Sequence, residues 1–341
     1  ITTPAATGTI TGTNISIILP AGTDATALVP TITVSDYATV NPASGVAQNF
    51  SAPVTYTVTA EDGTTKVYTA TVKFVFPLTY TQNFEGAWTT PSTLANWTGD
   101  GTATTEWHRS DYTTGWSYTS GAYSPAGANS TSNSARFHSY GITSGLTSSI
   151  VSPLLDLSPA GMKKIEFYSI NPTGTDVLNV YLSEDGGTTW GASLGTYATS
   201  SEWTKRTISV TSVSPNAKIK FTGTSDYGDD DIGVDELIVR MASSAKDILT
   251  FDFTTPAASG TITGTDIEVS VPYGTNVTAL VPTITISPLA TIAPLSGVAQ
   301  NFTNPVQYTV TAEDGTTKTY TVTVVFDANT ATDILTFDFN V

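Results

Sequence analysis

The chain has no cysteine, two histidines and two methionines among its 341 residues. Disulfide bonds therefore hold no part of it together, and thiol chemistry and Cys-type zinc sites are excluded. Charge is scarce as well, at 12% of residues, and lopsided: 13 Lys and Arg stand against 29 Asp and Glu, for a net charge of −16. A nucleic-acid partner is excluded, because a polyanion is repelled by such a surface. An acidic surface of this kind suits a secreted protein kept soluble by like charge, or one that collects divalent cations. No run approaches the roughly 18 apolar residues of a membrane-spanning helix. No basic-then-apolar leader opens the chain. Its start falls in the middle of a repeated pattern, so any leader is expected in upstream sequence. No window holds a helical period. No HExxH, Walker loop or nucleophile elbow is present either, so the chain is expected not to be an enzyme.

What is present is a duplication. TVTAEDGTTK occurs at 57–66 and unchanged at 309–318. Setting residue 1 against residue 253 and continuing without a gap makes about two positions in three identical, including TALVPTIT and SGVAQNF. Self-similarity on this scale means two copies of one module. DILTFDF (247–253) precedes the second copy, and DILTFDFNV (333–341) begins the phrase again at the C-terminus. Either a third copy starts at 333–341, making the chain a monomeric piece of a longer array, or that last strand swaps into the first module.

Within the module, Val54, Tyr56, Val58 and Ala60 alternate with Thr55, Thr57 and Thr59, then Glu61-Asp62-Gly63 intervenes, and alternation resumes at Tyr68, Ala70, Val72 and Phe74. Period two on both sides of an Asp-Gly turn predicts a β-hairpin. Prolines at 20, 30, 42 and 53 punctuate the strands. The modules, at 1–76 and 247–327, therefore read as small β-sandwiches. The ILTFDF opening, the TALVPTIT stretch and SGVAQNF followed by YTVTAEDGTTK resemble an immunoglobulin-like repeat of Bacteroidetes surface proteins. That resemblance implies spacers without catalytic residues.

Residues 78–241 differ. All six Trp and both His lie here. FEG (84–86), SSIVSPLLDLS (148–158), IEFYS, LNVYLSEDGGTTW (178–190), AKIKFTG and GVDELIVR (233–240), in that order, resemble the MAM-like, cleaved-adhesin type of jelly-roll domain found in gingipain-type proteases. The resemblance implies an all-β chain in which a two-sheet jelly roll, usually carrying structural Ca²⁺, serves cell-surface attachment to a glycan or protein. It also implies that Glu85, of the FE motif, meets Asp235, just before the last strand, with Asn133 adding a carbonyl oxygen. First and last strands lie side by side in a jelly roll, and two carboxylates that close repel unless a cation stands between them.

The acidic run 225–236 offers further cation ligands, Asp229 and Asp231 foremost, or a solvated loop; its spacing is not that of an EF-hand. SEDGGTTW (183–190) fits an Asp-box turn, a structural hairpin, with ligand binding as the alternative. Between 106 and 140 aromatic residues are dense. Exposed rings stack on sugars and long loops carry binding, so Tyr112, Trp116, Tyr118 and Arg109 are the candidate ligand contacts, whereas Trp107 is expected in the core. The expectation is an extracellular adhesin segment, with a purely structural stalk or an accessory region of a secreted hydrolase as the alternatives.

Overall fold

The computed structural model describes residues 6–89, 93–99, 107–111, 127–139, 143–172, 175–227 and 231–329. The fold is all-β. Among the described residues the helical content is one 3-10 turn, Ala128–Ser130. The chain divides into two compact units, Ile1–Met241 and Ala242–Val341. The segment 333–341 lies outside the described residues.

The first module opens the first unit with β1 (Thr9–Thr11), β2 (Asn14–Pro20), β3 (Thr39–Asn41), β4 (Val54–Thr59) and β5 (Thr65–Phe76), in the order β1-β2-β5-β4-β3. The expected hairpin is β4–β5. Its turn is closed by Asp62, whose Oδ1 accepts from the Thr64 N–H at 2.9 Å and the Thr64 hydroxyl at 2.7 Å. Gly63, at φ 85°, takes the left-handed position that a side chain resists. β2 joins β5 in parallel, Asn14 opposite Thr69. The buried apolar cluster here is small: Ala25, Phe50, Tyr56 and Ala70.

The rest of the first unit is a sandwich of two antiparallel sheets, the architecture expected of a jelly roll. The strands of this stretch are β6 (Tyr80–Gln82), β7 (Trp88–Thr89), β8 (Thr93–Leu94), β9 (Thr98–Gly99), β10 (Trp107–Arg109), β11 (Ala135–Phe137), β12 (Thr147–Val151), β13 (Leu154–Leu155), β14 (Lys163–Asn171), β15 (Val177–Ser183), β16 (Gly195–Tyr197), β17 (Ser200–Val210), β18 (Lys218–Thr224) and β19 (Ile232–Met241), of which β7 and β8 pair only with each other and β13 pairs in parallel with β5 of the first module. One sheet runs β10-β11-β19-β14-β17, with β6 also on β19; the other runs β16-β15-β18-β12-β9. Strand alternation sends Ile165, Phe167, Val234 and Val239 from one sheet and Leu178, Val180, Ile219 and Phe221 from the other into a shared core. Phe167 and Phe221 meet edge-to-face across it at 5.1 Å. Phe137 sits on Gly223 so closely that a Cβ there would stand 2.5 Å from the ring. Trp107 is core, as expected, with its indole N–H on the Ser148 carbonyl at 2.8 Å.

The second unit is the second module, with β20 (Ile248–Phe253), β21 (Ala258–Thr263), β22 (Asp266–Val271), β23 (Pro282–Ile286), β24 (Thr291–Ala293), β25 (Val306–Thr311) and β26 (Thr317–Phe326), in the order β23-β20-β21-β22-β26-β25-β24. It keeps the register of the first module: β22 joins β26 in parallel with Asp266 opposite Thr321, and Asp314 closes the same turn on Thr316. Here ILTFDF is β20. It drives Phe251 and Phe253 into the core, where Phe251 meets Tyr308 at 5.4 Å and Phe302 at 6.3 Å. Tyr56 and Phe50, at the matching positions of the first module, have no such strand against them among the described residues.

Candidate functional site

The last strand of the sandwich carries the site. On one edge β19 pairs first with β11, through Ile232–Val234, and then with β6, through Leu237–Val239. First and last strands are thus neighbours, and the edge is open between them at Asp235 and Glu236. The ladder to β14 slips at the same place, and Glu236 has φ 50°. A bulge of this kind re-aims a side chain. The gap is filled by the loop 127–134.

Asp235 is fully buried. Its Oδ2 accepts from the Ala128 N–H and the Thr131 hydroxyl, each at 2.8 Å, and its Oδ1 from the Glu236 N–H at 2.7 Å. Burial pushes its carboxyl up to about 6 against those bonds. Glu85, three residues past β6, grips the same loop. Oε1 accepts from the Ser132 and Asn133 N–H groups at 2.6 and 2.7 Å, and Oε2 from the Asn133 amide at 2.9 Å. Burial raises the Glu85 carboxyl, but these bonds and the Arg109 charge outweigh it and hold it below the ordinary range. The structure therefore brings Glu85, Asn133 and Asp235 to one loop.

Oxygens converge there. A Cβ on Gly127 would stand 2.2 Å from Thr131 Oγ1, 2.6 Å from the Asn133 carbonyl oxygen and 2.8 Å from Asp235 Oδ2. A carboxylate, a carbonyl and a hydroxyl around one point are hard-cation donors. Among the described residues no three Asp, Glu or His side chains come together, so a cation here would rely on neutral oxygens as well.

Other residues singled out by sequence take different places. Arg109 donates to the Glu85 and Gly86 carbonyls, both at 3.2 Å, and is tied to Asp111. It braces the Glu85 turn from outside. Asp231 does not join the group. It is fully buried and paired with Arg136, whose Nε donates at 2.5 Å, with His138 Nδ1 at 3.1 Å and the Ser139 N–H at 2.9 Å. A carboxylate committed to a guanidinium is not free for a cation. Tyr112, Trp116, Tyr118 and Asp229 lie outside the described residues.

The Asp-box is a structural turn. Asp185 accepts from the Thr188 and Thr189 N–H groups at 3.0 and 2.9 Å and from the Thr189 hydroxyl at 2.6 Å. The same turn sets Trp190 beside the outer face of the five-stranded sheet. There Tyr181 stands opposite Lys220, whose ammonium lies 4.8 Å from the Tyr181 ring and 4.5 Å from that of Trp190. Asn179, Thr196 and Ser193 form a bonded polar border beside them. Sequence reading placed Trp190 in the structural turn, with ligand binding as the alternative. The signal it passed over is the alternation in β15, which points Asn179 and Tyr181 outward.

No curated protein matches the chain. Among solved structures, the chain is similar to the K1 cleaved adhesin domain of Lys-gingipain from Porphyromonas gingivalis W83, at 16% identity over 48% of this chain and 99% of that one, TM-score 0.36. It is similar to the K3 domain of the same protein at 14% identity, over 48% and 98%, TM-score 0.34. A CBM35 from Paenibacillus barcinonensis is similar at 19% identity, over 36% and 89%, TM-score 0.27. For the two outer modules, the sequence resembles an immunoglobulin-like repeat, but the family whose model matches them, at 1–72 and 248–324, is SGBP, N-terminal.

Proposed function

We propose that the chain is a segment of a bacterial surface glycan-binding protein, in which two outer modules act as spacers and the central sandwich makes the contact without catalysis. The observation that carries this reading is the match of both modules to SGBP, N-terminal, the family of surface glycan-binding proteins. The sandwich supports it with an outward face of Tyr181, Trp190 and Lys220 bordered by amide and hydroxyl groups. Rings stack on the apolar faces of sugars while such polar groups bond hydroxyls. The aromatic stretch of the sequence that includes Arg109, Tyr112, Trp116 and Tyr118 is the second candidate contact.

We further propose that the sandwich is held by calcium. Asp235, the Asn133 carbonyl and Thr131 would hold the ion, with Glu85 fixing the loop that presents them. A bound Ca²⁺ supplies the positive charge that a buried carboxylate otherwise lacks.

Binding is tested by affinity electrophoresis of the whole chain in gels containing plant or host polysaccharides, with Trp190→Ala and Trp116→Ala beside the parent. Retardation that is lost in one variant supports the reading and locates the contact. Free migration in every polysaccharide and a blank glycan array would overturn it in favour of a structural stalk. For calcium, EDTA is expected to lower the melting temperature. A ligand at 100 times its Kd stabilises the folded state by about 2.7 kcal/mol. An unchanged melting curve, with no metal on elemental analysis, refutes the calcium reading while leaving glycan binding intact.

A further inference from the structure

A second cluster of buried oxygens lies at the end of the five-stranded sheet. β15 and β18 are antiparallel neighbours, with Val177 opposite Thr224. The residues just beyond them, Asp176 before β15 and Asp226 after β18, are therefore brought together although 50 positions separate them. Asp176 is 1% exposed. Its Oδ1 accepts from the Asp226 N–H at 2.7 Å, and its Oδ2 from the Ser139 hydroxyl. Asp226 Oδ2 accepts from the Thr175 N–H and, at 2.6 Å, from the Thr175 hydroxyl. The two carboxyl groups are within hydrogen-bonding reach of each other. Neither has a Lys, Arg or His partner among the described residues.

Among the described residues, two oxygens here lack any donor. One is Asp226 Oδ1, itself buried. The other is Oδ1 of Asn171, a residue only 3% exposed whose Nδ2 is spent on the Asp176 carbonyl at 2.9 Å. Buried polar atoms in native proteins are nearly always paired, and an unmet one costs about 1–3 kcal/mol. A single proton shared by the carboxyls meets their mutual repulsion but leaves the Asn171 oxygen without a donor. A cation would meet both carboxylates, and the amide oxygen of Asn171, whose Nδ2 is bonded to the Asp176 carbonyl, is a further donor for it. The donors are all oxygen, which excludes the nitrogen and sulfur preferences of zinc or copper. Calcium accepts irregular oxygen sets, whereas magnesium demands a near-octahedral one.

We propose that Asp176, Asp226 and the Asn171 side-chain oxygen form a calcium site, separate from the Glu85–Asp235 cluster and sharing no residue with it. It would tie the start of β15 to the end of β18 and, through Ser139, to the segment after β11. Electrostatics agree with the geometry: burial, then the facing Asp226, push the Asp176 carboxyl up to about 7. Bonding to Asp176, above all, holds Asp226 below its ordinary value.

The test is calorimetric titration of CaCl₂ into the whole, chelator-treated chain, with Asp226→Asn, Thr175→Val and Glu85→Gln alongside. Asp226→Asn is expected to bind one equivalent fewer than the parent. Thr175→Val, which removes a bond to a ligand, is expected to weaken that equivalent by about 10-fold or more. Glu85→Gln is expected to keep it, whatever becomes of the other cluster. Asp226→Asn with undiminished stoichiometry overturns the proposal. Should that variant not fold, crystals of the parent grown in calcium decide: an anomalous peak between Asp176 and Asp226 supports the site, and its absence at saturating calcium ends it.

Discussion

Replacing Gly127 by alanine sets two effects against each other, and the structure decides the sign. Gly127 has φ −149° and ψ 173°, extended backbone that any residue adopts. Alanine there carries no conformational strain, and its stiffer unfolded chain favours folding by about 0.4–1 kcal/mol. Opposing this, the new methyl would stand 2.2 Å from Thr131 Oγ1, 2.6 Å from the Asn133 carbonyl and 2.8 Å from Asp235 Oδ2. The threonine hydroxyl can rotate away. The other two cannot easily yield, because Asn133 is held by Glu85 through its N–H at 2.7 Å and its amide at 2.9 Å, and Asp235 by three short bonds. Overpacking of this kind costs about 1–3 kcal/mol; with the gain of about 0.4–1 kcal/mol set against it, the net change reaches at most about 2.6 kcal/mol and centres on a destabilisation of about 1–2 kcal/mol. At about 2–4 °C per kcal/mol for a domain of this size, Gly127→Ala is expected to lower the melting temperature of the sandwich by roughly 2–8 °C. Differential scanning calorimetry of the whole chain reads this directly. A variant that melts at or above the parent temperature refutes the oxygen convergence on which the candidate cation site stands.

Other consequences are equally direct. Phe251→Ala empties a buried position ringed by Phe253, Phe302 and Tyr308, and is expected to destabilise the second unit by about 3–5 kcal/mol, seen as an earlier transition in denaturant. Arg136→Met strips the fully buried Asp231 of its guanidinium at a cost of about 3–5 kcal/mol; adding Asp231→Leu is expected to restore most of the loss, and a double variant no better than the single contradicts the pairing. Hydrogen bonds from Thr189, then Ser183 and Thr188, hold Asp185 at about 2. Its folded value is depressed, so its contribution to the Asp-box turn is complete above the unfolded value of about 4 and is lost as pH falls from there through about 2. NMR titration of the Thr188 and Thr189 amides checks this, and resonances that move with an ordinary carboxylate midpoint near 4 would contradict it.

Legibility in the sequence followed the distance over which each cause acts. The β4–β5 hairpin was readable because its alternation and its Asp62-Gly63 turn are local, and the duplication because identity needs no coordinates. Glu85 and Asp235 were paired by resemblance, and the structure adds what the resemblance lacked: both act on the loop 127–134, and Gly127 keeps space for three oxygens. The pairing of Asp231 with Arg136 was not legible, because an acidic run does not reveal which of its carboxylates will meet an arginine 95 positions away. Asp176 was passed over because it stands alone in a Gly/Thr-rich turn with no acidic neighbour in sequence.

By itself, then, the sequence determined the all-β class, the repeated module and the turns that close its hairpins, since side-chain period and left-handed glycine positions are properties of a few consecutive residues. Which carboxylates share a site was decided only in three dimensions. The order of strands within each sheet places β6 against β19 and β15 against β18, and no local pattern of polar and apolar residues encodes that order.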